Sequence, residues 1–130
     1  IEEQGAGYVV ASVGKESGYV PYTAFSAKKS YIENNPEIIQ SFTNALQKGM
    51  DYVGSHTPEE IATVIAPQFD GTQLQTITTI VSRYAAQENL IFEEDSFMLL
   101  QNILEEAGEL PERVPYEALV TTEFAEQAVK

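Results

Sequence analysis

Tyr8, Tyr19, Tyr22 and Tyr31 place four of the chain's seven tyrosines within its first thirty-one residues. A tyrosine offers an aromatic face that stacks on a planar ring and a hydroxyl that fixes its orientation. That is the chemistry of a binding-cleft wall, although ordinary strand packing with solvated hydroxyls uses the same residues. Tyr22 and Thr23, beside Pro21 at the start of an extended run, are the best cleft candidates. In "SVGKESG" the hydroxyls of Ser12 and Ser17 flank Gly14, where backbone N–H groups can meet an anionic or polar ligand. A plain connecting turn has the same composition. The candidate ligand-binding residues are therefore Ser12, Gly14, Ser17, Tyr22 and Thr23. Lys28 and Lys29 could attract a phosphate or sulfonate, and equally suit a solvated segment feeding a helix.

Catalytic and metal chemistry find less support. His56 is the only histidine and there is no cysteine, so no thiolate or paired-imidazole site can form and no disulfide is available. Glu93, Glu94 and Asp95 suit the positive end of a helix dipole, and lack the alternating oxygens and glycine turn of a calcium loop. No Ser/His/Asp order and no pair of carboxylates stands out, so the expectation is a non-enzymatic protein with no catalytic residue, metal or cofactor.

At 130 residues the chain has material for the core of one domain. Its net charge of −13 argues against nucleic acid, whose phosphates need a basic face. Residues 1–32 carry equal numbers of acids and bases, so the whole net charge lies behind them. No apolar run is long enough to span a bilayer. No charged segment followed by an apolar one is visible at the start, as in a processed or excised piece.

The elements that would position these residues change character near residue 35. "YVVASV" (Tyr8–Val13) and "YVPYTAFSA" (Tyr19–Ala27) are apolar and rich in β-branched and aromatic residues, which predicts two strands; Pro21 puts the second at an edge or crossover. Asn35-Pro36-Glu37 reads as the start of a helix that ends at Gly54, with Gly49 allowing close helix packing. Thr57-Pro58-Glu59-Glu60 reads as a capping box for a short helix to about Ala66. A third helix follows "DGTQ", with Leu74, Ile77, Ile80, Val81 and Tyr84 inward. A fourth runs from about Asp95 to a stop at Gly108, with Phe97, Leu100, Ile103, Leu104 and Ala107 inward. A short turn and a last helix after Thr121 or Thr122 complete the chain. Two strands are too few for an independent sheet, so this reads as part of a larger α/β unit.

Taken in order, "YVVASVGKESGYVPYTAFSAKKSYIENNPEIIQSFTNAL", "SHTPEEIATVIAPQF", "TITTIVSRY", "FEEDSFMLLQNILEEAGEL" and "RVPYEALVTTEFAEQAVK" resemble the C-terminal part of ABC-importer substrate-binding proteins. The nearest group is the nitrate/sulfonate/taurine type and the thiamine-pyrimidine-precursor type. The resemblance covers essentially the whole chain. One departure is the short "ENLI" before Phe92, where relatives carry a longer, tryptophan-bearing stretch.

The resemblance implies an α/β fold, the C-terminal portion of a two-lobed type II periplasmic-binding-protein fold, with two strands followed by about five helices. Residues 1–34 would be a crossover and strand segment lining the interlobe cleft, and residues 35–130 the helical part completing the first lobe. It implies an importer component that captures a small organic nutrient by hinge closure. The partners would be that small-molecule ligand and an ABC permease. The location would be extracytoplasmic, periplasmic or lipid-anchored at the cell surface. A pyrimidine-precursor biosynthetic enzyme on the same fold and a freestanding helical interaction module are the alternatives. Apolar sheet faces left uncovered predict that the isolated chain self-associates or swaps elements.

Overall fold

Helices form where apolar residues recur at helical spacing behind a start signal, while the two extended runs at the front find no ladder. The computed structural model describes residue 2, residues 4–84 and residues 89–128. In chain order the helices are α1 (Val13–Glu16), α2 (Lys29–Asn34), α3 (Pro36–Ser55), α4 (Pro58–Ile65), α5 (Leu74–Arg83), α6 (Glu94–Glu106), α7 (Tyr116–Leu119) and α8 (Glu123–Ala128). A 3-10 turn, Ala66–Gln68, extends α4. The chain divides into two units, Ile1–Ala27 with Phe92–Thr121 and Lys28–Ile91 with Thr122–Lys130, so each is assembled from two separated stretches.

In the second unit, Pro36 occupies the first position of α3, and its ring drives the preceding residue out of the helical region. Asn35 accordingly adopts φ −138° and ψ 46°, and this one residue separates α2 from α3. Its side chain makes no cap bond to α3. Asn35 Nδ2 donates back to the Tyr31 carbonyl at 2.9 Å and Asn34 Nδ2 to Ser30 at 2.6 Å, which satisfies carbonyls at the end of α2. At α4 the expected capping box is present. The Glu60 N–H donates to Thr57 Oγ1 at 3.3 Å, and the Thr57 N–H donates to Glu60 Oε2 at 2.9 Å. α5 packs on α4, with Ile61, Ala62, Ile77 and Thr78 buried. α8 packs on α3, where Gln40 Nε2 donates to the Phe124 carbonyl at 3.0 Å.

In the first unit, Phe97 of α6 is buried with its ring edge-on to Phe92 (6.2 Å) and to Tyr116 (5.6 Å). The Tyr116 hydroxyl donates to the Phe92 carbonyl, and the Val114 N–H donates to buried Gln101 Oε1 at 2.8 Å. Arg113 donates to Glu105 and to Asn102 Oδ1, tying the loop after α6 to the helix it left. Gly108, at φ +74°, ends α6: its N–H donates to the Glu105 carbonyl and the Glu109 N–H to Leu104. That pair of bonds is the Schellman closure, and it needs a left-handed residue.

The expected α/β fold is not what forms. Among the described residues there is no strand, and the architecture is helices joined by turns and extended segments. Tyr8–Val13 and Tyr19–Ala27 therefore do not pair. A strand draws its hydrogen bonds from a neighbour, and its register is held only where one face is buried. Here neighbours in sequence are exposed alike, Val9 at 65% and Val10 at 97%, so no buried face exists to hold a register. The segment between the runs becomes α1 instead, its first carbonyl, Ser12, accepting from Lys15 and Glu16. The apolar stripes also differ from those expected. α5 buries Ile77 and Thr78 while Leu74 and Ile80 stay exposed, and α6 buries Ser96, Phe97 and Gln101 while Ile103 and Ala107 stay exposed.

Thr57→Ala should cost about 1 kcal/mol of stability in chemical denaturation, the usual worth of an N-cap. Glu60's carboxyl is held below the usual carboxylate range, first by the Thr57 backbone N–H, then by the Thr57 hydroxyl, with slight burial opposing and His56 adding least. A carboxyl with a lowered folded-state pKa contributes stability above its unfolded value and loses it as pH falls through the folded one. The stability gap between the native chain and Glu60→Gln should thus be full at neutral pH and close in acid; a gap independent of pH would refute the coupling. Gly108→Ala, forced left-handed, should cost about 1–2 kcal/mol, whereas an unchanged melting temperature would show that the Schellman closure is dispensable.

Candidate functional site

The five residues selected from the sequence all lie in the first unit and near its surface. Ser12 is the N-cap of α1 without a side-chain cap bond, and Gly14 lies exposed inside that helix. Ser17 is half-buried at the end of α1, its hydroxyl donating to the Val13 carbonyl at 2.8 Å. Tyr22 is 98% exposed and Thr23 is exposed beside it in the extended segment. Gly18, after α1 at φ +79°, brings the backbone close to α6: a Cβ there would lie 3.4 Å from the Leu99 side chain. Gly18 thus serves the path of the chain, and the Ser17 hydroxyl is spent within its own turn.

A concave site forms instead in the second unit, where α3 and α4 diverge. α3 supplies Leu46, Gly49 and Val53 at i, i+3 and i+7, one helical face. α4 supplies Ile61 and Ile65, and Tyr84, just after α5, also lines it. The resulting groove has a volume of about 510 Å³, is open to solvent and, among the described residues, is lined by no charged side chain. Volumes of a few hundred Å³ with apolar and aromatic walls are the size and character of small-molecule sites.

Two details give the groove definition. Tyr52, another lining residue, stacks on His56 one turn along, with ring centroids 3.7 Å apart and planes within 18°. His56 Nδ1 lies 2.8 Å from the Tyr52 carbonyl and 3.1 Å from Ser55 Oγ, and the tautomer protonated at Nδ1 donates to that carbonyl. This fastens the imidazole against the tyrosine ring. Gly49 is the second detail. A Cβ built on it would meet nothing within 4 Å, so the close helix packing expected of this glycine is absent. Within a helix a glycine costs about 1 kcal/mol relative to alanine, and here neither packing nor a left-handed φ offsets that cost.

The lysines and acids flagged in the sequence take structural positions. Lys28 caps the start of α2, Lys29 begins it, and Glu93, Glu94 and Asp95 occupy the N-cap and first turn of α6. Among the described residues no group of three His, Asp or Glu side chains is placed to hold a metal ion.

No protein family matches the chain, and no solved structure matches it. Among curated proteins it is 40% identical, over 130 residues, to "Putative binding protein YtlA" of Bacillus subtilis (strain 168). The match takes in 97% of this chain and 39% of that protein, so the chain spans about two fifths of the relative's length. The resemblance to ABC-importer substrate-binding proteins implied a sheet flanked by helices. The described residues form helices without a strand, and that family assignment does not stand.

Proposed function

We propose that this chain is part of a longer ligand-binding protein and that its role is to bind a small organic molecule. The observation that carries the reading is the 40% identity, through 97% of the chain, to a protein whose description is that of a binding protein. The groove between α3 and α4 supports it by size and lining. The finer form of the proposal is capture, without catalysis and outside the cytoplasmic membrane, of a sulfonate, nitrate or taurine-like compound or thiamine-pyrimidine precursor for an ABC permease. The relative's description supports this only at the level of binding.

The front segment supports the part of the reading that concerns length. Tyr8 is 85% exposed, Val10 97%, Tyr22 98% and Phe25 75%. Contiguous apolar residues at such exposure are a surface awaiting cover. In the proposal that cover is polypeptide corresponding to the stretch of the relative outside the match. Ser12, Gly14, Ser17, Tyr22 and Thr23 would then contribute to a ligand site only once it is in place.

Sedimentation of residues 1–130 should show association that rises with concentration; a monodisperse monomer with a sharp melt would overturn the uncovered-surface reading. In parallel, thermal shifts on the same chain with taurine, alkylsulfonates and aminopyrimidines test binding. A rise in melting temperature with one of them supports the proposal, and none with any ligand, aromatic probes included, counts against a binding role.

A further inference from the structure

The geometry points to the α3–α4 groove as a site for a planar, uncharged aromatic molecule, with the missing side chain of Gly49 leaving room for its ring. This rests on the binding reading above in its coarse form alone, and names a ligand class for the groove that the nutrient classes above do not include.

Three observations select that class. The first is the gap at Gly49. Its backbone is helical, its missing side chain is not needed for packing, and a helix interior disfavours glycine. Gly49 lines the groove and a Cβ on it meets nothing within 4 Å, so the glycine leaves open a space that a larger side chain would enter. The second is the pair of tyrosines. Tyr52 is fastened by its stack on His56, and Tyr84 also lines the groove. Aromatic side chains favour flat rings, which they meet face-on or edge-on, and of the two it is Tyr52 whose ring is held in place. The third is charge. Among the described residues no cation lines the groove, and the chain as a whole carries −13, so a sulfonate or phosphate placed there finds no cationic partner among them and is repelled at long range. Volume agrees, since about 510 Å³ suits a fused ring system better than a molecule the size of taurine.

The test uses N-phenylnaphthylamine, a neutral fluorescent aromatic, beside its ring-sulfonated counterpart, on the native chain and on Gly49→Ala, Gly49→Leu and Tyr84→Ala. The native chain should bind the neutral probe with a blue-shifted, enhanced emission, and bind the sulfonated one about tenfold more weakly. Gly49→Ala should fold with an equal or higher melting temperature, because its Cβ meets nothing and alanine favours the helix. Gly49→Leu should also fold, and its affinity for the neutral probe should fall by about tenfold or more, with Tyr84→Ala weakening it less. Equal binding of the two probes, or neutral-probe binding untouched by Gly49→Leu, would overturn the inference. So would a shift of Gly49→Leu toward monomer without a change in probe binding, since a second copy would then be the occupant. If polar nutrients raise the melting temperature while the neutral probe fails, this inference falls and the binding reading stands. If neither class binds, both fall.

Discussion

A backbone amide withdrawn from water needs a partner, and in this chain the partner is almost always three or four residues away. The long-range links are made mainly by side chains: Gln40 to the Phe124 carbonyl, the Val114 N–H to Gln101, Tyr116 to Phe92 and Arg113 to α6. Local satisfaction of this kind builds helices without a sheet. It also leaves the joining of helices to a thin set of buried groups, because nothing like a ladder binds distant segments together. Each polar link therefore sets where a loop or a terminal helix lies, and losing one partner would leave its mate unpaired.

The apolar core is correspondingly slight. Ile61, Ala62, Ile77, Phe97 and Ala125 are its buried members among the described residues, and Gln47, Thr78, Ser96 and Gln101 are buried beside them. The polar members carry part of the construction. Gln101 holds the loop after α6, and Ser96 turns its hydroxyl back to the Glu93 carbonyl at the start of that helix. Gln47 donates to Asp51 along α3, while its own Oε1 is buried without a partner, as is that of Gln40. Acceptors in that state add no stability. With so few large apolar side chains enclosed, the hydrophobic contribution comes from helix pairs, α3 with α8 and α4 with α5, rather than from one common core.

What was legible in the sequence follows from how far each signal reaches. The Thr57-Pro58-Glu59-Glu60 box, the break imposed by Pro36, the stop at Gly108 and the late start of α8 are decided within four residues, and they were readable. The runs Tyr8–Val13 and Tyr19–Ala27 have strand composition, but a strand is a statement about a neighbour, which composition does not contain. α2 was masked by the apparent continuity of the front segment, although Asn34 and Asn35 before Pro36 are what a helix end requires. The buried faces of α5 and α6 depart from apolar periodicity because it ignores a glutamine or threonine that has found a bond. For the candidate site, Leu46, Gly49 and Val53 on one face and Ile61 and Ile65 on the next helix were a readable signal. So was Tyr52 one turn before His56.

The two apolar surfaces of this chain pose different physical problems. Around Val10 and Tyr22 successive side chains point into solvent from an irregular backbone, and little in the immediate surroundings fixes their positions. Ordering such a segment costs conformational entropy that a small molecule, with few contacts to offer, cannot return. A large surface can, and so that region suits a macromolecular neighbour. The groove between α3 and α4 has already met its ordering cost. Most of its walls stand on α3 and α4, one tyrosine ring is stacked on a histidine, and a glycine in its lining leaves empty space beside it. A guest entering there need only displace water, which is the condition under which a few hundred Å³ of apolar space becomes affinity.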